Sequence, residues 1–83
     1  MKIQGTVSID GVTLYDMICY ARRDDDNEPR IELNNSNGSI IAMLNVESIK
    51  NCEVNSQDED GRYTGEIITI IDDGEIICDE LLL

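Results

Sequence analysis

The sequence predicts an α+β domain: a small antiparallel β-sheet of about five to six hairpin-connected strands with one short α-helix packed on it. Three observations lead there. Apolar residues alternate with polar ones over several short segments, the period of a half-buried strand. Asp-Gly and Asn-Gly pairs punctuate these segments where tight hairpin turns are needed. Ile and Val far outnumber Leu among the aliphatic residues, and β-branched side chains favour pleated surfaces over helices.

The elements follow in order. Ile3, Gly5, Val7 and Ile9 alternate with Gln4, Thr6 and Ser8, which predicts a strand over 2–9, and Asp10-Gly11 supplies a turn. Over 12–23 the signals conflict. Leu14, Met17, Ile18 and Ala21 recur at i, i+3, i+4 and i+7, a helical stripe. Thr13 and Asp16 resemble a capping box, and Arg22 and Arg23 would sit at the negative end of a helix dipole. Val12, Thr13, Tyr15, Cys19 and Tyr20 are poor helix formers. The periodicity places a short helix over about Leu14 to Arg23.

Asp24 to Pro29 reads as a loop, Arg30 to Asn34 as a strand, and Asn35 to Gly38 as a hairpin loop turning on Asn-Gly. A return strand covers 39–45. Val46 to Ile49 is a single helical turn or a bend, and a further strand runs to Asn55. Ser56 to Gly61 is an acid-rich loop. A last hairpin, Arg62 to Ile71 and Glu75 to Leu82, turns at Asp72-Asp73-Gly74. The 83 residues suffice for a single small acidic domain over 1–83.

Charge carries most of the functional information. Eighteen acids oppose six bases, for a net charge of −12. Phosphate backbones and anionic membranes both need Lys and Arg, so neither nucleic acid nor membrane is expected as a direct partner. The chain has no His, and Cys19, Cys52 and Cys78 form no C-x-x-C. Neither a thiol–imidazole pair nor a Cys/His zinc site can be assembled. No P-loop, dinucleotide or nucleophile-elbow motif occurs. The two acidic stretches at Asp24–Glu28 and Ser56–Ile67 fail the EF-hand frame, because Pro29 stands at the required Gly and Ile67 at the required Glu. The expectation is a non-enzymatic protein without cofactor. Its thiols are expected to stay reduced, in the cytoplasm, or in that of the host cell if phage-encoded. No secretory signal pattern opens the sequence.

The acids fall into three groups at predicted loops: Asp24, Asp25, Asp26 and Glu28; Asp58, Glu59 and Asp60; Asp72, Asp73 and Glu75. These are the candidate partner-binding residues, and a basic, nucleic-acid-recognising protein is the candidate partner. Small acidic chains without catalytic groups are a type used by phages and mobile elements against CRISPR–Cas or restriction complexes. By that analogy of size and charge, the expected function is an inhibitor that blocks a DNA or RNA site by charge mimicry. The alternative is a small acidic adaptor or structural protein acting through oligomerisation. Ile67, Ile68, Ile70, Ile71, Ile76 and Ile77 are apolar at both parities, as in strands that need cover on both faces. That nominates Ile68, Ile70, Ile77, Leu81, Leu82 and Leu83 for a homodimer interface.

Overall fold

The computed structural model describes residues 2–78 and shows a nearly all-β chain. Seven strands run in order: β1 (Lys2–Ile9), β2 (Val12–Arg23), β3 (Pro29–Asn34), β4 (Ile40–Asn45), β5 (Asn51–Gln57), β6 (Tyr63–Asp72) and β7 (Glu75–Ile76). They form one antiparallel sheet in the order β4-β3-β2-β1-β5-β6-β7. A single 3-10 turn, Val46–Ser48, carries the chain from edge strand β4 to β5 beside β1. Every other connection is a hairpin.

The α+β expectation is therefore corrected: no helix of seven or more residues exists among the described residues, and Leu14–Arg23 belongs to the twelve-residue strand β2. A bulge explains the false helical stripe. Val7 pairs with Leu14 and Gly5 with Met17, so Tyr15 and Asp16 together oppose Thr6. The extra residue shifts the parity of β2. Leu14, Met17, Cys19 and Ala21 consequently all turn toward the core, and their i, i+3, i+7 component imitates a helix. Asp16 adopts the left-handed region, φ +53°, which Asp tolerates better than most residues.

The same device recurs across the sheet. In β1, a Cβ on Gly5 would overlap the Asn55 carbonyl oxygen of β5. In β6, Thr64 to Glu66 oppose only Ser56 of β5, with Gly65 at φ +81°. Asp16, Gly5, Ser56 and Gly65 thus mark one line across four adjacent strands. Bulges and close-approach glycines bend and over-twist a strand, and three in line curl the sheet over itself. A single flat sheet would be only about 10 Å thick, whereas the shortest extent here is 23 Å. Inside the curl lie Ile3, Val7, Cys19, Ala21, Ile31, Leu33, Val46, Ile49, Cys52, Val54, Ile70 and Ile71.

A second bulge accounts for the doubly apolar C-terminal hairpin. Cys52 pairs with Ile71 and Glu53 with Thr69, leaving Ile70 as the extra residue. Ile70 and Ile71 are both fully buried in the one core, so consecutive apolar residues here do not require cover on two faces.

Two Asp-Gly turns clamp the crossing connection. Asp10-Gly11 and Asp73-Gly74 have positive φ at both central residues, the pattern of twist-matched two-residue hairpins. The Asp10 carboxylate accepts the Lys50 and Asn51 amides at 3.0 and 2.8 Å. The Asp73 and Gly74 amides donate to the carbonyls of Lys50 and Ile49. The turn expected near Val46 is thereby held from both sides.

Gly5→Ala should destabilise the chain by about 3 kcal/mol, because backbone and not a mobile side chain occupies the space. Ser56→Ala, on the same line, should stay within about 0.5 kcal/mol. Urea denaturation of the two variants checks the contrast.

Candidate functional site

Three of the hairpins are built alike, and their design decides which acids remain available. In Asp24–Glu28, Asn35–Ser39 and Asp58–Arg62, the first residue exchanges backbone hydrogen bonds with the fourth and fifth. Its side-chain Oδ1 accepts the amides of the third and fifth at 2.9–3.2 Å. The fourth residue, Asn27, Gly38 or Gly61, has positive φ. This is the three-residue loop ending in a left-handed residue, closed by an Asx turn. The middle hairpin thus turns over three residues, with Gly38 at the left-handed position, and not on a two-residue Asn-Gly turn. The sequence signal was present: Asx first, Asn or Gly fourth.

Asp24 and Asp58 are therefore loop-forming residues, while Asp25, Asp26, Glu28, Glu59 and Asp60 project freely. The Asp24 loop is also compensated. Asp24 forms an ion pair with Arg30 at 3.0 Å, Arg23 donates to the Asn27 carbonyl, and Arg22 stacks over the Tyr20 ring at 4.6 Å. Three of the six bases, Arg22, Arg23 and Arg30, lie beside this loop in β2 and β3, whereas Lys2 lines a recess with Gln57, Asp58 and Glu59.

Strand direction separates the three acidic groups. The Asp24 and Asp58 loops lie toward the end where β1 begins, and Asp72, Asp73 and Glu75 lie at the end where β1 finishes. Asp72 pairs directly with Glu75, which places like charges opposite each other. No single flat surface gathers all three groups.

The convex outer face at the bend gathers a different set. On this face Thr6 neighbours Asn55, which neighbours Ile67, and Ser8 neighbours Glu53, which neighbours Thr69. Tyr63 reaches over β5 so that its hydroxyl meets Thr6 Oγ1 at 2.7 Å. Gln57 Nε2 donates to the Asp16 carboxylate at 3.3 Å and to the Gly61 carbonyl at 3.1 Å, joining the β2 bulge to the Asp58 loop. Tyr15 is 68% exposed and Ile67 64%. Exposed tyrosines and an isoleucine within an acidic rim of Asp16, Glu53, Glu59 and Asp60 match the anatomy of a protein-binding patch. Tyr15, Tyr63, Ile67, Asp16 and Glu53 were not legible as a site, because they meet only through the bend and the cross-strand register.

The residues nominated for a dimer are scattered. Ile70 is wholly buried in the chain's own core, Ile68 is half-buried against it, and Ile77 is exposed. Leu81, Leu82 and Leu83 lie outside the described residues. Among the described residues, no group of three or more Cys, Asp or Glu is placed to hold a metal ion.

Cys19 and Cys52, far apart in sequence, are both buried in the core. The two thiols titrate as a pair: hydrogen bonding to Cys52 together with burial pushes the Cys19 pKa far up, and hydrogen bonding to Cys19 pulls that of Cys52 down. Cys78 is half-buried, its Sγ directed at the Thr69 carbonyl. A thiol-specific reagent should modify Cys78 first and the core pair only as fast as the domain opens, since both core thiols are buried out of its reach. Asp58→Ala should cost about 1–2 kcal/mol through its two lost amide bonds. Glu59→Ala and Asp60→Ala should each stay within about 0.5 kcal/mol. Thiol titration and denaturant melts read these outcomes.

A scan against protein-family models and searches of curated proteins and of solved structures return no match to this chain.

Proposed function

We propose that this chain is a non-catalytic binding protein that engages a basic, nucleic-acid-recognising protein and occludes its DNA or RNA site by charge mimicry. The specific form of the proposal is a phage or mobile-element inhibitor of a CRISPR–Cas or restriction complex, and it rests on size and charge. The observation that carries the binding mode is the convex face of β1, β5 and the bulge of β2, where Tyr15, Tyr63 and Ile67 stand inside the acids Asp16, Glu53, Glu59 and Asp60. Tyrosine offers large, stiff contact area for a partner's groove. The acidic rim steers a cationic partner and fixes its orientation. Duplex DNA carries one charge per about 1.7 Å, so the net charge of −12 equals that of roughly 20 Å of duplex, distributed here over more than one surface. The long axis of the molecule is 35 Å.

The test begins with immobilised chain and a bacterial lysate, and takes forward a recovered DNA- or RNA-binding protein whose capture duplex DNA competes away. Against it, the combined variant D16N/E53Q/E59Q/D60N should associate about tenfold more slowly at low salt and show a flatter salt dependence. Neutralising Asp25, Asp26 and Glu28 should do less, because arginines already offset that loop. Tyr63→Ala should speed dissociation. Unchanged rates and salt slope in the combined variant, or capture indifferent to duplex DNA, would overturn the proposal.

A further inference from the structure

We infer that Cys19 and Cys52 are a site of reversible oxidation, at which a peroxide closes an intramolecular disulfide across the hollow of the curled sheet. Both thiols are free and wholly buried in the same core, and hydrogen bonding joins them. The register shows why these two meet. Cys19 of β2 lies opposite Ile3 of β1, and Cys52 of β5 lies opposite Ile9 on the other side of the same strand. In a straight strand, Ile3 and Ile9 would stand roughly 20 Å apart. A disulfide spans at most about 7 Å between Cα atoms, so a flat sheet would keep the two cysteines far out of range. Gly5 lies between Ile3 and Ile9, where β1 passes too close to Asn55 of β5 for a Cβ to fit. Bending there folds the two ends of β1 toward each other on the core side. Side chains from β2 and β5 then meet across the hollow, and a bond between them is a chord across the bend, with β1 lying between the strands that it links.

The pair is asymmetric, which assigns the roles. Hydrogen bonding to Cys19 pulls the Cys52 thiol down, against burial and the charges of Asp10 and Glu53, while Cys19 is pushed up. Cys52 therefore ionises first and is the nucleophile. Its thiolate attacks one oxygen of hydrogen peroxide, the O–O bond breaks, and the departing hydroxide takes back the proton that Cys52 released. The products are a sulfenic acid and water. The Cys19 sulfur then attacks the sulfenic sulfur, the S–O bond breaks, and the hydroxyl leaves as a second water with the Cys19 proton. Two thiols lose two electrons, and the peroxide is reduced to two waters. Peroxide is little larger than water, so small fluctuations of the sheet admit it where bulky reagents need the domain to open. A thiol pool reverses the bond by exchange.

Cys78 would compete for oxidant, so the test uses Cys78→Ser beside the unaltered chain. Folded protein is treated with hydrogen peroxide, unfolded in urea with an alkylating agent, and digested with trypsin without reductant. The peptide Ile3–Arg22 should be joined to Asn51–Arg62, in a chain lighter by two hydrogens and closed to alkylation, and dithiothreitol should separate them. The oxidised chain should keep its circular dichroism and melt roughly 10 °C or more higher. In glutathione buffers the folded chain should hold the bond at an effective concentration about a hundredfold above that in urea. If Cys78→Ser does not fold, the peptide map and melt of the unaltered chain decide. Core thiols that still alkylate after peroxide treatment would overturn the inference, as would sulfinic acids in place of the link. A bond that lowers the melting temperature, or that is no stronger in the folded chain than in urea, would overturn it equally, because the native sheet would then not bring the two sulfurs together. None of these outcomes depends on the partner proposed above.

Discussion

At Gly5 the backbone of β1 passes so close to Asn55 of β5 that no side chain fits between them, and the rest of the structure depends on that approach. A seven-stranded sheet from 83 residues has one apolar face and nothing else to lay against it. Among the described residues there is no helix of seven or more residues and no second sheet. The only way to bury Ile31, Leu33, Ile70 and Ile71 together is to curl the sheet on itself. Curling needs strands that bend, and bending needs positions without a Cβ or with an extra residue. Gly5, the Tyr15–Asp16 bulge and Gly65 provide them along one line.

Bending has a second consequence, on the outer surface. At the β2 bulge the extra residues Tyr15 and Asp16 are exposed, on the side away from the core. Asp16 holds a left-handed conformation there and ties to Gln57. Tyr63 lies over β5 against Thr6. The device that closes the core therefore also assembles an exposed cluster of tyrosine, isoleucine and carboxylate. The uncharged edge at β4 is a separate surface, made by the sheet order and not by the bend.

Much of the sheet was legible in the sequence, and the reason is local. β1, β3 and both Asp-Gly turns depend on period-two alternation and on turn chemistry, which neighbouring residues decide. β2 was not legible, because its bulge moves Leu14, Met17 and Ala21 onto one face at helical spacing. Pro29 reads as loop but opens β3, where a missing amide at a strand's first residue is tolerated. The acids were legible as groups but not as roles. Asp24 and Asp58 look like their neighbours Asp25 and Glu59, yet their Oδ1 atoms hold their own loops together. The Cys19–Cys52 contact and the convex cluster depend on pairing between distant strands, which no local pattern encodes.

The most direct test of the central claim, that the bend builds the binding face, is NMR chemical-shift mapping. Labelled chain is titrated with the basic domain of a DNA- or RNA-binding protein that it captures. The perturbed amides should cluster at Thr6, Tyr15, Asp16, Asn55, Glu59, Tyr63 and Ile67, while Ile40–Asn45 stays unmoved. Perturbation spread over Asp24–Glu28 and Asp72–Glu75 with the bend silent would contradict it, because the negative charge would then act without the face that the fold constructs.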